Sequence, residues 1–256
     1  MVECLSHRLK MKAKWLDWLI LSGIILVLSI GTHERNSFWK SKTELWRDCV
    51  RKAPRKERTH HNLGFAYYER GQWDEAQKEF EAALRLDPRY TLSVYNLGLV
   101  FYRKGWVDKA IRCYQEAIAL DPTFPESFYN LGIAYYQRGH YGVAVEAFEK
   151  FLEAKPDYEN AHNSLGLSYK GLRKWDKAIA SFQEEMKYRP GNFYAQTYLG
   201  DVYLELKNYP KALVHYKHAL NHADQFDVRK IREAVSSIEI AQKQKDKKRK
   251  VWRPQG

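Results

Sequence analysis

Five glycines recur at an interval of 34 residues, at Gly64, Gly98, Gly132, Gly166 and Gly200, and no other feature constrains the chain as tightly. A leucine precedes each of them (Leu63, Leu97, Leu131, Leu165 and Leu199). An alanine follows twelve residues later (Ala76, Ala110, Ala144, Ala178 and Ala212), and an aromatic four further on (Phe80, Tyr114, Phe148, Phe182 and Tyr216). Four of the five units close with Pro88, Pro122, Pro156 or Pro190. A fixed period of this kind marks a unit that cannot bury its apolar face alone and must stack on copies of itself.

The spacing says what the unit is. Leu-Gly and an aromatic three residues on (Tyr67, Phe101, Tyr135, Tyr169 and Tyr203) share one helical face, because three and four residues make a turn. Glycine inside a helix costs about 1 kcal/mol relative to alanine. Its recurrence calls for a compensating close approach, which the recurring alanine of a second helix would allow. The aromatic of that second helix is expected to fill the space between hairpins, and proline, which lacks the amide donor, stops it. A 34-residue helix–turn–helix unit resembles the tetratricopeptide repeat. The expected fold is all-α: a right-handed solenoid of five helical hairpins with terminal capping helices, preceded by one transmembrane helix.

Counted from Glu57, the repeats are 57–90, 91–124, 125–158, 159–192 and 193–226. Subtracting one period from Trp73, Phe80, Ala83 and Pro88 lands on Trp39, Trp46, Cys49 and Pro54. Residues 32–56 therefore read as a juxtamembrane linker leading into a half-repeat helix that caps the first unit. Val228, Ile231, Val235 and Ile238 recur at helical spacing, so 227–243 is expected to cap the other end.

Charge is placed unevenly. Residues 1–56 carry 12 Lys/Arg against 5 Asp/Glu, the repeats 21 against 22, and residues 227–256 carry 10 against 4. A repeat array so close to neutral argues against nucleic acid as its partner. The basic segment 244–256, with Lys245, Lys247, Lys248 and Arg249, reads as a disordered tail with anionic lipid as a candidate contact. Cys4, Cys49 and Cys113 have neither disulfide-framework nor metal spacing.

After a basic segment, 1–14, residues 15–31 are apolar enough to meet a membrane, with Trp15 and Trp18 suited to the interface. Two readings stay open: a retained transmembrane helix, and a signal sequence cleaved near Ser29-Ile30-Gly31. For a retained helix, Arg8, Lys10, Lys12 and Lys14 place the repeats on the extracytoplasmic side, periplasmic or lumenal.

The run Arg35-Asn36-Ser37-Phe38-Trp39-Lys40, Leu45-Trp46-Arg47-Asp48, Lys52-Ala53-Pro54 and Asn62-Leu63-Gly64, directly after an apolar helix, carries a second resemblance. It resembles the junction in membrane glycosyltransferases of the protein O-mannosyltransferase type that end in tetratricopeptide repeats. The resemblance covers about residues 15–226 and implies a shared topology and a role in engaging protein acceptors. It does not carry catalysis over, since the acidic loop and other spans of that family are missing.

In tetratricopeptide arrays, positions 2, 5, 6, 9, 12 and 13 of the first helix line the inner groove. Position 6 is Asn62, Asn96 and Asn130, then Ser164 and Tyr198; position 12 is Tyr68, Tyr102 and Tyr136; position 5 adds Tyr95 and Tyr129. An amide offers both donor and acceptor to a peptide backbone, and tyrosine gives wide contact with a polar tip. These eight residues are the expected peptide-binding stripe, with burial against the neighbouring hairpin as the alternative for the tyrosines. Repeats four and five break it with Lys170, Gly171, Asp201 and Leu204. His61 and Phe65 stand where a carboxylate-clamp array needs Lys and Asn, which argues against a chaperone-tail receptor. His215, His218 and His222 share a helix face but lack a clear fourth ligand, so they read as ordinary surface histidines.

Neither phosphate loop, catalytic triad, nucleophile elbow nor HExxH motif occurs, and no cofactor or metal is implied. The expectation is a non-enzymatic, membrane-anchored scaffold holding an extended peptide or partner protein. The alternatives are an accessory subunit or detached repeat arm of a membrane glycosyltransferase, and a cytoplasmic-facing adaptor in envelope synthesis.

Overall fold

The computed structural model describes residues 42–222 and 228–251, and every element among them is a helix. In chain order these are α1 (Lys42–Lys52), α2 (Glu57–Glu69), α3 (Trp73–Leu86), α4 (Thr91–Arg103), α5 (Val107–Leu120), α6 (Pro125–Gln137), α7 (Tyr141–Ala154), α8 (Ala161–Gly171), α9 (Trp175–Tyr188), α10 (Phe193–Glu205), α11 (Tyr209–Asn221) and α12 (Arg229–Val251). The chain forms two compact units, one up to Asn96 and one from Leu97. The expected transmembrane segment, 15–31, lies outside the described residues, among which no helix is long and apolar enough to cross a membrane.

The first unit is built on the α2–α3 hairpin. Phe80 and Ala76 of α3 are fully buried, and Gly64 of α2 makes room for them. A Cβ on Gly64 would stand 2.9 Å from the Phe80 ring and 3.3 Å from the Ala76 carbonyl. α1 lies against α2, with Thr43 buried, Lys42 Nζ 3.0 Å from Glu69 Oε2, and Arg47 Nη2 donating to the Tyr67 hydroxyl at 3.1 Å.

The second unit repeats the arrangement. A Cβ would meet the ring of Tyr114 at 2.7 Å from Gly98, Phe148 at 2.8 Å from Gly132, Phe182 at 2.5 Å from Gly166 and Tyr216 at 2.5 Å from Gly200. Each ring therefore sits inside its own hairpin, against the glycine sixteen residues earlier, where the spacing alone suggested a position between hairpins. The alanines Ala110, Ala144, Ala178 and Ala212 are all fully buried. α12 lies against α11 through buried Ile231 and Ile238 and a 3.1 Å contact between Lys217 Nζ and Glu239 Oε1. It runs on to Val251, so the backbone of 244–251, expected to be disordered, continues the helix.

The turn inside every hairpin has the same hydrogen bonds. The backbone N–H groups of Gln72, Trp106, His140, Lys174 and Asn208 donate to the carbonyls of Tyr67, Phe101, Tyr135, Tyr169 and Tyr203 at 2.8–3.0 Å. This six-to-one closure puts the intervening residue in the left-handed region, which favours glycine. Gly71, Gly105 and Gly139 fill it in three repeats, but Arg173 (φ 58°) and Lys207 (φ 56°) fill it in the last two.

Candidate functional site

The stripe residues fall on the first helices of the hairpins, and the structure gives them unequal environments. In the first unit Asn62 and Tyr68 are half-buried, as is Tyr95, while Asn96 is buried at 7% exposure. Tyr68 packs against Trp73 (ring centroids 5.0 Å) and Phe65 (6.4 Å), with Phe65 exposed. His61, in the position where tyrosine stands in the next two repeats, is an interior residue. Its Nδ1 is 3.0 Å from Ser93 Oγ and its ring lies 5.6 Å from Phe80 and 5.0 Å from Tyr90. Burial, and then the charge of Arg58, lowers its pKa to about 4, so the ring is neutral near neutral pH.

In the second unit Tyr102, Tyr129, Asn130 and Tyr136 are all half-buried. Asn130 Nδ2 donates back to the Glu126 carbonyl at 3.0 Å. Tyr129 is surrounded by rings: Phe151 at 4.8 Å, Tyr158 at 5.3 Å and Phe148 at 5.8 Å. Burial raises the phenol pKa of Tyr102, Tyr129 and Tyr136. Tyr136 leans on Tyr141 at 5.4 Å. Gly171 lies beneath that same Tyr141 ring, where a Cβ would come within 2.6 Å. Tyr198, at position 6 of repeat five, touches Phe182 (5.4 Å) and Tyr194 (6.2 Å), and Tyr136 is close enough to act on its ionisation.

The departures in repeats four and five belong together. Lys170 Nζ lies 3.1 Å from Asp201 Oδ2, and Tyr216 donates its hydroxyl to Asp201 Oδ1 at 2.9 Å. The carboxylate thus joins a first-helix lysine of one repeat to the buried aromatic of the next. On the first helices α6, α8 and α10, Ile133, Tyr136, Leu167, Tyr198 and Leu204 are half-buried and packed on the core. They carry apolar bodies and a few hydroxyl tips, a chemistry suited to an extended chain. The sequence singled out Tyr136 for the stripe but gave Tyr198 only as the end of the asparagine ladder, and it did not reveal the Lys170–Asp201 pair, whose only signal was that both positions break the repeat.

Another residue went unnoticed. Glu185 is wholly buried where the other second helices mostly place alanine (Ala83, Ala117 and Ala219). Of the α11 histidines, His215 is engaged elsewhere: its Nδ1 lies 2.9 Å from Gln196 Oε1 and its ring stacks on Tyr203 at 5.3 Å.

A family model described as TPR repeat matches residues 64–105 and 103–139, and one described as Tetratricopeptide repeat matches 129–184 and 163–228. No curated protein matches the chain, so the likeness to O-mannosyltransferase-type enzymes gains no support there. Among solved structures, MamA from Desulfovibrio magneticus RS-1 is 20% identical, with a TM-score of 0.63 over 65% of this chain and 94% of its own. Another MamA crystal structure is 26% identical, with a TM-score of 0.60 over 62% and 94%. YrrB, described as a TPR protein with an unusual peptide-binding site, is 18% identical, with a TM-score of 0.67 over 77% and 99%. The repeat register, the hairpin packing and the two family models agree: the chain belongs to the tetratricopeptide-repeat proteins.

Proposed function

We propose that the chain is a non-enzymatic scaffold that holds an extended peptide, or an extended segment of a partner protein, along the first-helix face of its second unit. The observation that carries this is the half-buried set Ile133, Tyr136, Leu167 and Tyr198 on α6, α8 and α10, together with the Lys170–Asp201 pair. Such residues are already fixed by packing on the core, so little side-chain entropy is lost when a ligand covers them. The presence of a peptide-binding site in YrrB is in keeping with this reading.

The test is selection of random twelve-residue peptides on the purified chain, followed by binding of the selected peptides to a Tyr136→Ala/Leu167→Ala variant. Affinity should fall at least tenfold, about 1.4 kcal/mol, while the thermal midpoint shows the variant still folded. Unchanged affinity would overturn the assignment of this face.

Where the scaffold works is a further part of the proposal. The apolar segment 15–31 and the basic residues before it support a membrane anchor with the repeats extracytoplasmic. The junction motif at 35–64 favours one alternative role, an accessory or detached arm of a membrane glycosyltransferase. Protease treatment of intact cells and of spheroplasts, with carbonate extraction of membranes, separates these from a cytoplasmic-facing adaptor. Repeats digested from outside, with a fragment left in the membrane, are expected.

A further inference from the structure

Repeat four departs from the 34-residue pattern in two linked ways. Glu185 replaces the small residue of its second helix, and α8 begins only at Ala161, after Asn160 in the left-handed region (φ 60°). The two changes are joined by hydrogen bonds. Glu185 Oε1 accepts from the backbone N–H of Asn160 at 3.1 Å and from Arg189 Nη1 at 3.2 Å. Arg189 Nη2 in turn donates to the Asp157 carbonyl at 2.9 Å. The segment before α8 is thereby tied onto α9.

Beside this tie lies a cavity of about 490 Å³ lined by Tyr129, Asp157, Tyr158, Glu159, Asn160 and Arg189. Its aromatic side is preassembled: Tyr158 meets Tyr129 edge-on (5.3 Å, 62°) and Phe151 at a right angle (5.0 Å, 89°), yet keeps 43% of its surface exposed. Its electrostatics are one-sided. Asp157 and Glu159 line it together with the Arg189 guanidinium, whose charge is met by buried Glu185 at 3.2 Å, and the nearby Lys155 is bound to Glu126. Among the described residues neither the Asp157 nor the Glu159 carboxylate forms an ion pair, Arg189 reaching only the Asp157 carbonyl, and Glu185 Oε2, fully buried, has no hydrogen-bond partner. Burial raises the Tyr129 phenol pKa, a hydrogen bond with Ser164 opposes it, and Tyr158, then Glu185 and Glu159, add smaller upward pushes.

We propose that this cavity receives a basic side chain of the bound segment, a lysine ammonium or arginine guanidinium, with its stem on Tyr158 and Tyr129 and its charge met by Asp157 and Glu159. Aromatic faces attract cations, and the exposed carboxylates supply the opposite charge beside them. The identification of the ligand as part of a peptide rests on the function proposed above; the cation preference of the cavity does not.

The test uses the full chain in detergent micelles and three small probes: N-acetyl-lysinamide, N-acetyl-argininamide and the neutral N-acetyl-norleucinamide. Binding is followed by saturation-transfer NMR. The two cationic probes should half-saturate at least fivefold below norleucinamide, and stronger salt should narrow the gap. An Asp157→Asn/Glu159→Gln variant should abolish the difference with an unchanged thermal midpoint, since both side chains are exposed. A stronger signal from one cationic probe would identify the preferred head group. Equal binding of all three probes, or a cation preference that survives in the variant, would overturn the proposal. If selected peptides ignore Tyr136 and Leu167 while the probes still discriminate here, the peptide face falls and the cation cavity stands.

Discussion

Gly200 on α10 and Tyr216 on α11, sixteen residues apart, occupy adjoining volumes so closely that a Cβ on the glycine would lie 2.5 Å from the ring. Tyr216 cannot easily withdraw, because it is buried and its hydroxyl is held by Asp201. Gly200→Ala should therefore destabilise the protein by about 1–3 kcal/mol, the usual cost of overpacking, seen as a lower urea midpoint. Gly142→Ala, in α7 where an added Cβ meets nothing within 4 Å, should instead leave stability equal or higher, by up to about 1 kcal/mol.

That pair also shows what the sequence could and could not reveal. The 34-residue register identified Ala76, Ala110, Ala144, Ala178 and Ala212, all fully buried, because small residues at a fixed helical spacing have only one packed face to occupy. It did not identify the glycine's partner, since a period gives the face but not the direction in which a ring points. Glu185 escaped notice because one polar residue on an otherwise regular helix looks like surface until its Oε1 is seen accepting from Asn160. The Lys170–Asp201 pair, 31 residues apart, was visible only as two broken positions. The stripe amides illustrate the opposite limit: Asn62, Asn96 and Asn130 share a register, yet Asn96 is buried and Asn130 bonds its own helix.

The left-handed turn residues Arg173 and Lys207 carry a conformational cost that Gly71, Gly105 and Gly139 avoid. A left-handed residue with a side chain costs roughly 1–2 kcal/mol, partly offset by the greater chain entropy of glycine when unfolded. Arg173→Gly and Lys207→Gly should each raise stability by about 0.5–1 kcal/mol. Calorimetry of the single and double variants checks this, with additive gains expected for turns in separate hairpins.

His61 gives the first unit a pH dependence of known sign. Its pKa is about 4 when folded, below the ordinary 6.5, so the unfolded chain takes up its proton first as pH falls. The stabilisation is complete above pH 6.5 and is lost progressively down to about pH 4, approaching roughly 3 kcal/mol in all. His61→Gln should flatten the urea midpoint against pH between 6.5 and 4 relative to the parent chain.

Cys113 and Cys49 should differ in reactivity. Cys113 is buried, and burial raises its thiol pKa to about 12, leaving almost no thiolate at neutral pH; Cys49 is half-buried. Iodoacetamide at pH 8 should modify Cys49 well before Cys113, with peptide mass mapping as the readout. Labelling of Cys113 should rise to the rate of an exposed thiol only in denaturant.

Glu185 provides the sharpest test of the architecture of repeat four. Converting it to alanine restores the residue type found at Ala83, Ala117 and Ala219, and helix propensity alone would then favour the variant. The contacts argue the reverse. Removing the carboxylate leaves the Asn160 amide without its acceptor and Arg189 without its counter-charge, and half-buried groups orphaned in this way cost more than propensity returns. Glu185→Ala should lose about 1–3 kcal/mol by urea denaturation, and hydrogen exchange should quicken at Asn160. Glu185→Gln retains an acceptor for Asn160 and should recover part of the loss. A variant as stable as the parent would mean that the segment before α8 is held by something other than this tie.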